Sequence, residues 1–146
     1  MNFGQDNQVV EYLFLVDQDE QHYIQEQLKQ VGLNVMQARA LNFIDQNPGA
    51  HQQDLAKQLG KQDASTTNIL KVLEGRQLIT RRLQPGNGRQ KQLFLLPDGQ
   101  ALIVKVRSVF TNLEKRATTP LTKSEQATLL ATLKKIHAEL SKSNDD

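Results

Sequence analysis

The stretch HQQDLAKQLGKQDASTTNILKVLEGRQ, from His51 to Gln77, holds two short amphipathic segments with almost no chain between them. In the first, Leu55, Ala56 and Leu59 share one helical face, and Gly60 stands where a left-handed C-cap residue is wanted. The second starts after a tight turn, with Asp63 as its N-cap and Thr66, Ile69, Leu70 and Leu73 at helical spacing. Helices joined so closely must cross steeply. The crossing needs a small residue at the contact and a glycine at the reversal, roles that fall to Ala56 and Gly60. The pattern predicts a helix-turn-helix. Other tight helical corners make similar demands, and Lys61 and Thr66 stand where apolar residues fit better.

The next segment narrows the choice. In LITRRLQPGNGRQKQLFLL (78–96), Ile79, Arg81 and Leu83 alternate with Thr80 and Arg82, and Lys91, Leu93 and Leu95 alternate with Gln92 and Phe94. This period of two predicts a hairpin, with Asn87-Gly88 at its tip supplying the positive φ angles of a tight turn. Helix, turn, helix and basic hairpin in succession make a winged helix-turn-helix over 36–99.

The formal net charge of +2 conceals a segregation along the chain. Residues 1–60 carry 3 basic and 8 acidic side chains, whereas residues 61–116 carry 11 basic and 4 acidic ones. A basic middle segment fits a polyanion partner, and equally an ordinary solvated surface. The absence of cysteine excludes disulfides, thiolate metal sites and thiol redox switching. His22, His51 and His137 have no local metal-ligand spacing. The apolar runs fall short of the ~20 residues of a membrane span and no signal peptide is evident, so a cytoplasmic location without membrane contact is expected.

The flanks read as helices. Val9, Leu13, Val16, Tyr23 or Ile24, Leu28 and Val31 recur at three- to four-residue steps, ending at Gly32. Met36, Ala40, Leu41 and Ile44 mark a second helix, closed by Asn47-Pro48-Gly49. A helix opening at Pro97 has the stripe Leu102, Val106, Val109, Phe110 and Leu113. In the last, Thr122 and Glu125 have capping-box spacing before Leu129, Leu130, Leu133, Ile136 and Leu140. These stripes are more apolar surface than one chain of 146 residues easily hides. We therefore expect one domain, mainly α with a β-hairpin wing, whose helical parts (1–34 and 100–142) form a homodimer, with Val9, Leu13, Leu129, Leu130, Leu133, Ile136 and Leu140 at the interface.

Three pieces, QQDLAKQLG, LKVLEGRQLITRR and GRQKQLFLLPDG, resemble the MarR family of bacterial transcription regulators. The resemblance implies a mostly helical homodimer whose subunits each present a winged helix to DNA. It also implies a small-molecule effector near the junction of the dimer helices and the DNA-binding lobe. The chain departs from the family pattern at four places. Asn87 replaces the acidic residue of the wing's Asp-x-Arg, Gln77 stands for a glycine before the first strand, and Asn68 and Gln62 replace a frequent arginine and serine.

The DNA-contacting set expected from these readings has two parts. On the second helix, Gln62, Ala64, Ser65, Thr67, Asn68 and Lys71 offer short donors, acceptors and apolar contacts of the kind that read a major groove, while a plain solvent face is the competing reading. On the wing, Arg81, Arg82, Arg89 and Lys91 suit phosphates, with Arg89 placed for the minor groove by the resemblance, and Arg81 and Arg82 serving as phosphate contacts or structural partners. Edge-strand charge that blocks aggregation is the alternative. The function that follows is a sequence-specific, double-stranded-DNA-binding regulator, most simply a ligand-responsive repressor on a pseudo-palindromic operator. A winged-helix module that binds an acidic protein is the second reading. An enzyme is disfavoured, since no nucleophile–base pair, phosphate loop or metal spacing is present, and no cofactor is implied.

Overall fold

Three of the helices end the same way, and those endings set the course of the chain. In the computed structural model, which describes residues 5–61 and 63–142 and leaves out the side chains at 63 and 87–89, a 3-10 turn (Gln5–Asn7) leads into α1 (Gln8–Gln30). Then come α2 (Val35–Gln46), α3 (Gln52–Leu59), α4 (Asp63–Gly75), β1 (Ile79–Gln84), β2 (Asn87–Leu95), α5 (Pro97–Thr118) and α6 (Lys123–Lys142). After α1 the amide of Leu33 donates to the Leu28 carbonyl and that of Gly32 to Lys29; after α3, Lys61 donates to Ala56 and Gly60 to Lys57. After α4, Leu78 donates to Leu73 and Gln77 to Glu74. Each pair is a Schellman motif, whose pivotal residue must take positive φ. Gly32 (+74°) and Gly60 (+64°) do so without a Cβ, and Gln77 does so at +60° with one.

Two compact units divide the chain, Met1–Phe110 and Thr111–Asp146. In the first, the core gathers Leu41 and Ile44 of α2, Leu55 of α3, Leu70 and Leu73 of α4, and Ile79 and Leu93 of the hairpin, all essentially without solvent contact. Each such side chain contributes about 1.5–3 kcal/mol by its burial. Thr66 is fully buried among them, yet no buried side-chain polar atom among the described residues lacks a hydrogen bond, so a hydroxyl is accommodated at a position where the pattern favoured an apolar residue. Asn34 and Gln37 close a capping box at the start of α2. Arg107 pairs with Asp45 across α5 and α2.

The hairpin is antiparallel, with Ile79 opposite Leu95, Arg81 opposite Leu93 and Leu83 opposite Lys91. Its turn is not the expected Asn87-Gly88. Pro85-Gly86 makes it, with Gly86 at φ +84°, while Asn87 and Gly88 belong to β2. Proline presets φ for the first central position and glycine alone takes the second without strain, so Pro-Gly prevails over the Asn-Gly that follows it. A bulge between Leu83 and Gln84 absorbs the extra residues of β2. A third extended segment joins the sheet by its edge, since Gly49 donates to the Leu93 carbonyl and Leu93 to that of Ala50, both at 2.8 Å.

The stripe of α5 differs in phase from the sequence reading, whereas that of α1 keeps its phase and is buried only near its C-terminal end. In α5 the buried residues of the first unit are Gly99, Ile103, Val106 and Val109, whereas Phe110 remains 45% exposed. Gly99 lies against the Leu78 carbonyl so closely that a Cβ has no room, and this contact sets which face of α5 turns inward. In α1 only Ile24 and Leu28 are buried, while Val9, Leu13 and Val16 are exposed.

The second unit holds the end of α5 and all of α6. Thr122 and Glu125 form the capping box read from their spacing, each backbone amide donating to the other's side chain at 3.0 and 3.1 Å. These bonds hold the Glu125 carboxyl below its ordinary range. No residue of α6 is buried; Leu129, Leu130, Leu133 and Leu140 are exposed and Ile136 is half-buried.

Candidate nucleic-acid interface

Helix α4 presents one face to the core and another to solvent, and the candidate DNA-reading residues divide accordingly. Ala64, Ser65, Asn68 and Lys71 are exposed, one helical face away from buried Thr66, Leu70 and Leu73. Thr67 differs from this set: it is half-buried, and its hydroxyl accepts a hydrogen bond from Gln52 Nε2 of α3 at 2.6 Å. Gln62 lies outside the described residues.

On the wing, strand alternation sends Arg81 and Arg82 to opposite faces. Arg81 shares its face with Leu93 and turns toward the helices. Its Nε and Nη2 donate to the two carboxylate oxygens of Glu74 at 3.1 and 3.2 Å, and Nη1 donates to Gln52 Oε1 at 3.4 Å. With 16% of its side chain exposed, Arg81 fits the structural alternative of the two roles foreseen for it. The fork-on-fork pair holds the Glu74 carboxyl below its usual value, against a smaller opposing effect of burial and with help from the charges of Arg81 and Lys91. Arg82 is exposed on the other face, where its guanidinium stacks on the Phe94 ring, 4.9 Å from the centroid. Lys91 is exposed. The backbone of Arg89 lies in β2, and its side chain is outside the description.

The wing is therefore braced. Besides the Arg81 cluster and the Gly49–Ala50 edge pairing, His51 Nε2 lies 2.8 Å from Gln84 Oε1, near the turn. His51 also opens α3, its amide donating to Asp54. At the other end of α4, Arg76 donates to the Gly32 carbonyl at 2.6 Å and reaches that of Val31, joining the end of α4 to the end of α1. An open cavity of about 400 Å³ lies at that α1–α2 corner, lined by Gln25, Lys29, Leu33, Asn34, Val35 and Met36.

Gln52, Glu74, Arg76 and Gln84 were not singled out by the sequence reading. Each looks like ordinary polar surface, and its partner lies 7 to 45 positions away across a corner of the fold. No periodicity carries such pairings.

The described lobe is a helix-turn-helix with a two-stranded wing. A MarR family model matches residues 31–90. The match spans the winged-helix lobe. Solved structures agree along most of the chain. MepR, a transcription regulator of the Staphylococcus aureus multidrug efflux pump MepA, superposes with a TM-score of 0.77 at 26% identity, covering 89% of this chain and 97% of its own. A point mutant of S. aureus MepR bound to an oligodeoxyribonucleotide gives 0.67 at 26% identity, with 90% and 97% covered. A point mutant of Escherichia coli MarR complexed with operator DNA shares the fold, at 0.72 and 23% identity, with 91% and 98% covered. No match was found among curated proteins.

Proposed function

We propose that this chain is a MarR-family regulator: a homodimeric, sequence-specific, double-stranded-DNA-binding protein that acts as a repressor by occupying a pseudo-palindromic operator. The observation that carries the reading is the solvent face of α4. Ala64, Ser65, Asn68 and Lys71 point outward from a helix whose opposite face is fully packed, beside a braced wing that bears Arg82 and Lys91. A helix with short polar side chains on its free face suits the major groove, and flanking cations suit phosphates. That MepR, a relative in fold at 26% identity, has been solved with an oligodeoxyribonucleotide supports the same partner here. The exposed leucines of α6 and the apolar residues of α1 favour a second copy as their cover, and a two-fold protein matches a two-fold operator.

A small-molecule effector is the proposed signal. The cavity at the α1–α2 corner is a suitable place for it, because Arg76 ties α4 to the carbonyls at the end of α1. The protein works by binding rather than catalysis, and in the cytoplasm. Among the described residues no helix is long and apolar enough to cross a membrane.

Selection of bound duplexes from a random or genomic pool tests the proposal. A recovered inverted repeat, bound with steep salt dependence, is the expected result. A protein that enriches no duplex but captures acidic proteins would instead be a winged-helix interaction module.

A further inference from the structure

We propose that Gln52 is a positioning residue for operator recognition, joining the wing to the recognition helix through Arg81 and Thr67. The inference rests on the DNA-binding reading above and assigns a role within that interface to a residue on neither α4 nor the wing.

The chemistry of the contacts fixes the direction of each bond. A guanidinium only donates, so Gln52 must turn its carbonyl oxygen to Arg81 and therefore its amide nitrogen to Thr67. The Thr67 oxygen is then an acceptor toward the protein, at 2.6 Å, on the half-buried side of α4. Arg81 is independently clamped to Glu74, one turn beyond Lys71 on the same helix. Through side chains the wing thus meets α4 directly at Glu74 and through Gln52 at Thr67. The second link adds to the backbone and His51 braces a constraint placed on α4 itself. The Gln52 link lies nearer the N-terminal end of α4, where Ser65 and Asn68 face outward. On this reading Thr67 acts through Gln52 and not on a base.

Gln52 is uncharged, which separates positioning from simple attraction. Its loss leaves every phosphate-binding cation in place, so affinity for unrelated duplex and its salt slope should stay at wild type. Only the match of helix and wing to one operator should suffer.

A double-mutant cycle on a selected operator, with a scrambled duplex in parallel, is the test. Gln52→Met keeps the length of the side chain and the Arg81–Glu74 clamp but removes both amide bonds, and should weaken operator binding about tenfold. Thr67→Val should do the same, the double variant should be no worse than either single one, and Thr67→Ser should bind like wild type. The loss should be spread over the operator without a change of preference at any one base pair. Should Gln52→Met fail to fold at the assay temperature, Gln52→Asn, too short to reach both partners, is read in its place. Additive losses, a shifted preference at one base pair in Thr67→Val, an equal loss on scrambled duplex, or wild-type affinity in the Gln52 variant would overturn the positioning role while leaving DNA binding intact. Wild-type protein that selects no duplex would overturn both.

Discussion

Gln77 holds a backbone conformation that its side chain opposes, at φ +60° in the motif that stops α4. The left-handed region costs a residue with a Cβ about 1–2 kcal/mol, and glycine recovers this at the expense of a more flexible unfolded chain. Gln77→Gly should therefore stabilise the protein by up to about 1 kcal/mol, seen as a higher urea midpoint with unchanged slope. Gly99 is the opposite case. A Cβ there would press on the Leu78 carbonyl, which already accepts from the Leu96 amide, so Gly99→Ala should destabilise by about 2–3 kcal/mol in the same measurement. Glu74 makes stability depend on acid. Its carboxyl is held below the ordinary 4.5, so its contribution is fully present above that value and is lost as pH falls through the lower folded value. Because the carboxylate is 44% exposed, solvent screens the pair and the effect is modest. The gap in urea midpoint between wild type and Glu74→Gln should be clear near about pH 7 and should narrow near about pH 3.

At the scale of elements, the proposed function divides the labour of recognition between the wing and α4. Arg81 serves the brace, which leaves the exposed Arg82 and Lys91, together with Arg89, as the cations proposed to meet phosphates. Each phosphate-neutralising cation contributes about 0.9 to the slope of log affinity against log salt, and Arg89→Ala in both subunits should flatten it by up to roughly 2. Unchanged affinity and slope in a folded variant would leave the hairpin charge as an aggregation guard. On α4, Asn68→Ala and Ser65→Ala should shift base preference at particular operator positions, whereas Lys71→Ala should weaken binding evenly, both read by selection from a degenerate operator pool. Strand alternation already assigned Arg81 and Arg82 to opposite faces. Which face met the helices depended on Glu74 and Gln52, seven and twenty-nine positions away.

For the molecule as a whole, the apolar surface left open by one chain is the main fact. Leu129, Leu130, Leu133 and Leu140 lie exposed along a helix with no buried residue, and Val9, Tyr12 and Val16 are exposed along α1. Contiguous apolar faces of this kind mark an interaction site. A lysine placed within a covered stripe buries an unpaired charge, which costs about 3–5 kcal/mol when no partner is supplied. Leu133→Lys and Leu130→Lys should therefore shift light scattering at micromolar concentration from dimer toward monomer and reduce operator affinity with it. A wild-type protein that is monomeric and still binds its operator tightly would refute the dimer.

The sequence alone determined the elements and their order, because helical and strand periodicity, a capping box at Thr122 and left-handed glycines at 32 and 60 are local properties that a few neighbouring residues decide. It also carried the likeness to the MarR family, through short motifs that specify one steep helical corner and one basic hairpin. The tertiary structure decided what those motifs left open. It chose Pro85-Gly86 over Asn87-Gly88 for the turn, set the inward face of α5 by the fit of Gly99 against Leu78, and separated the structural arginine from its outward neighbour. Each of these outcomes depends on competition or contact between groups distant in sequence, and such terms exist only once the chain has brought those groups together.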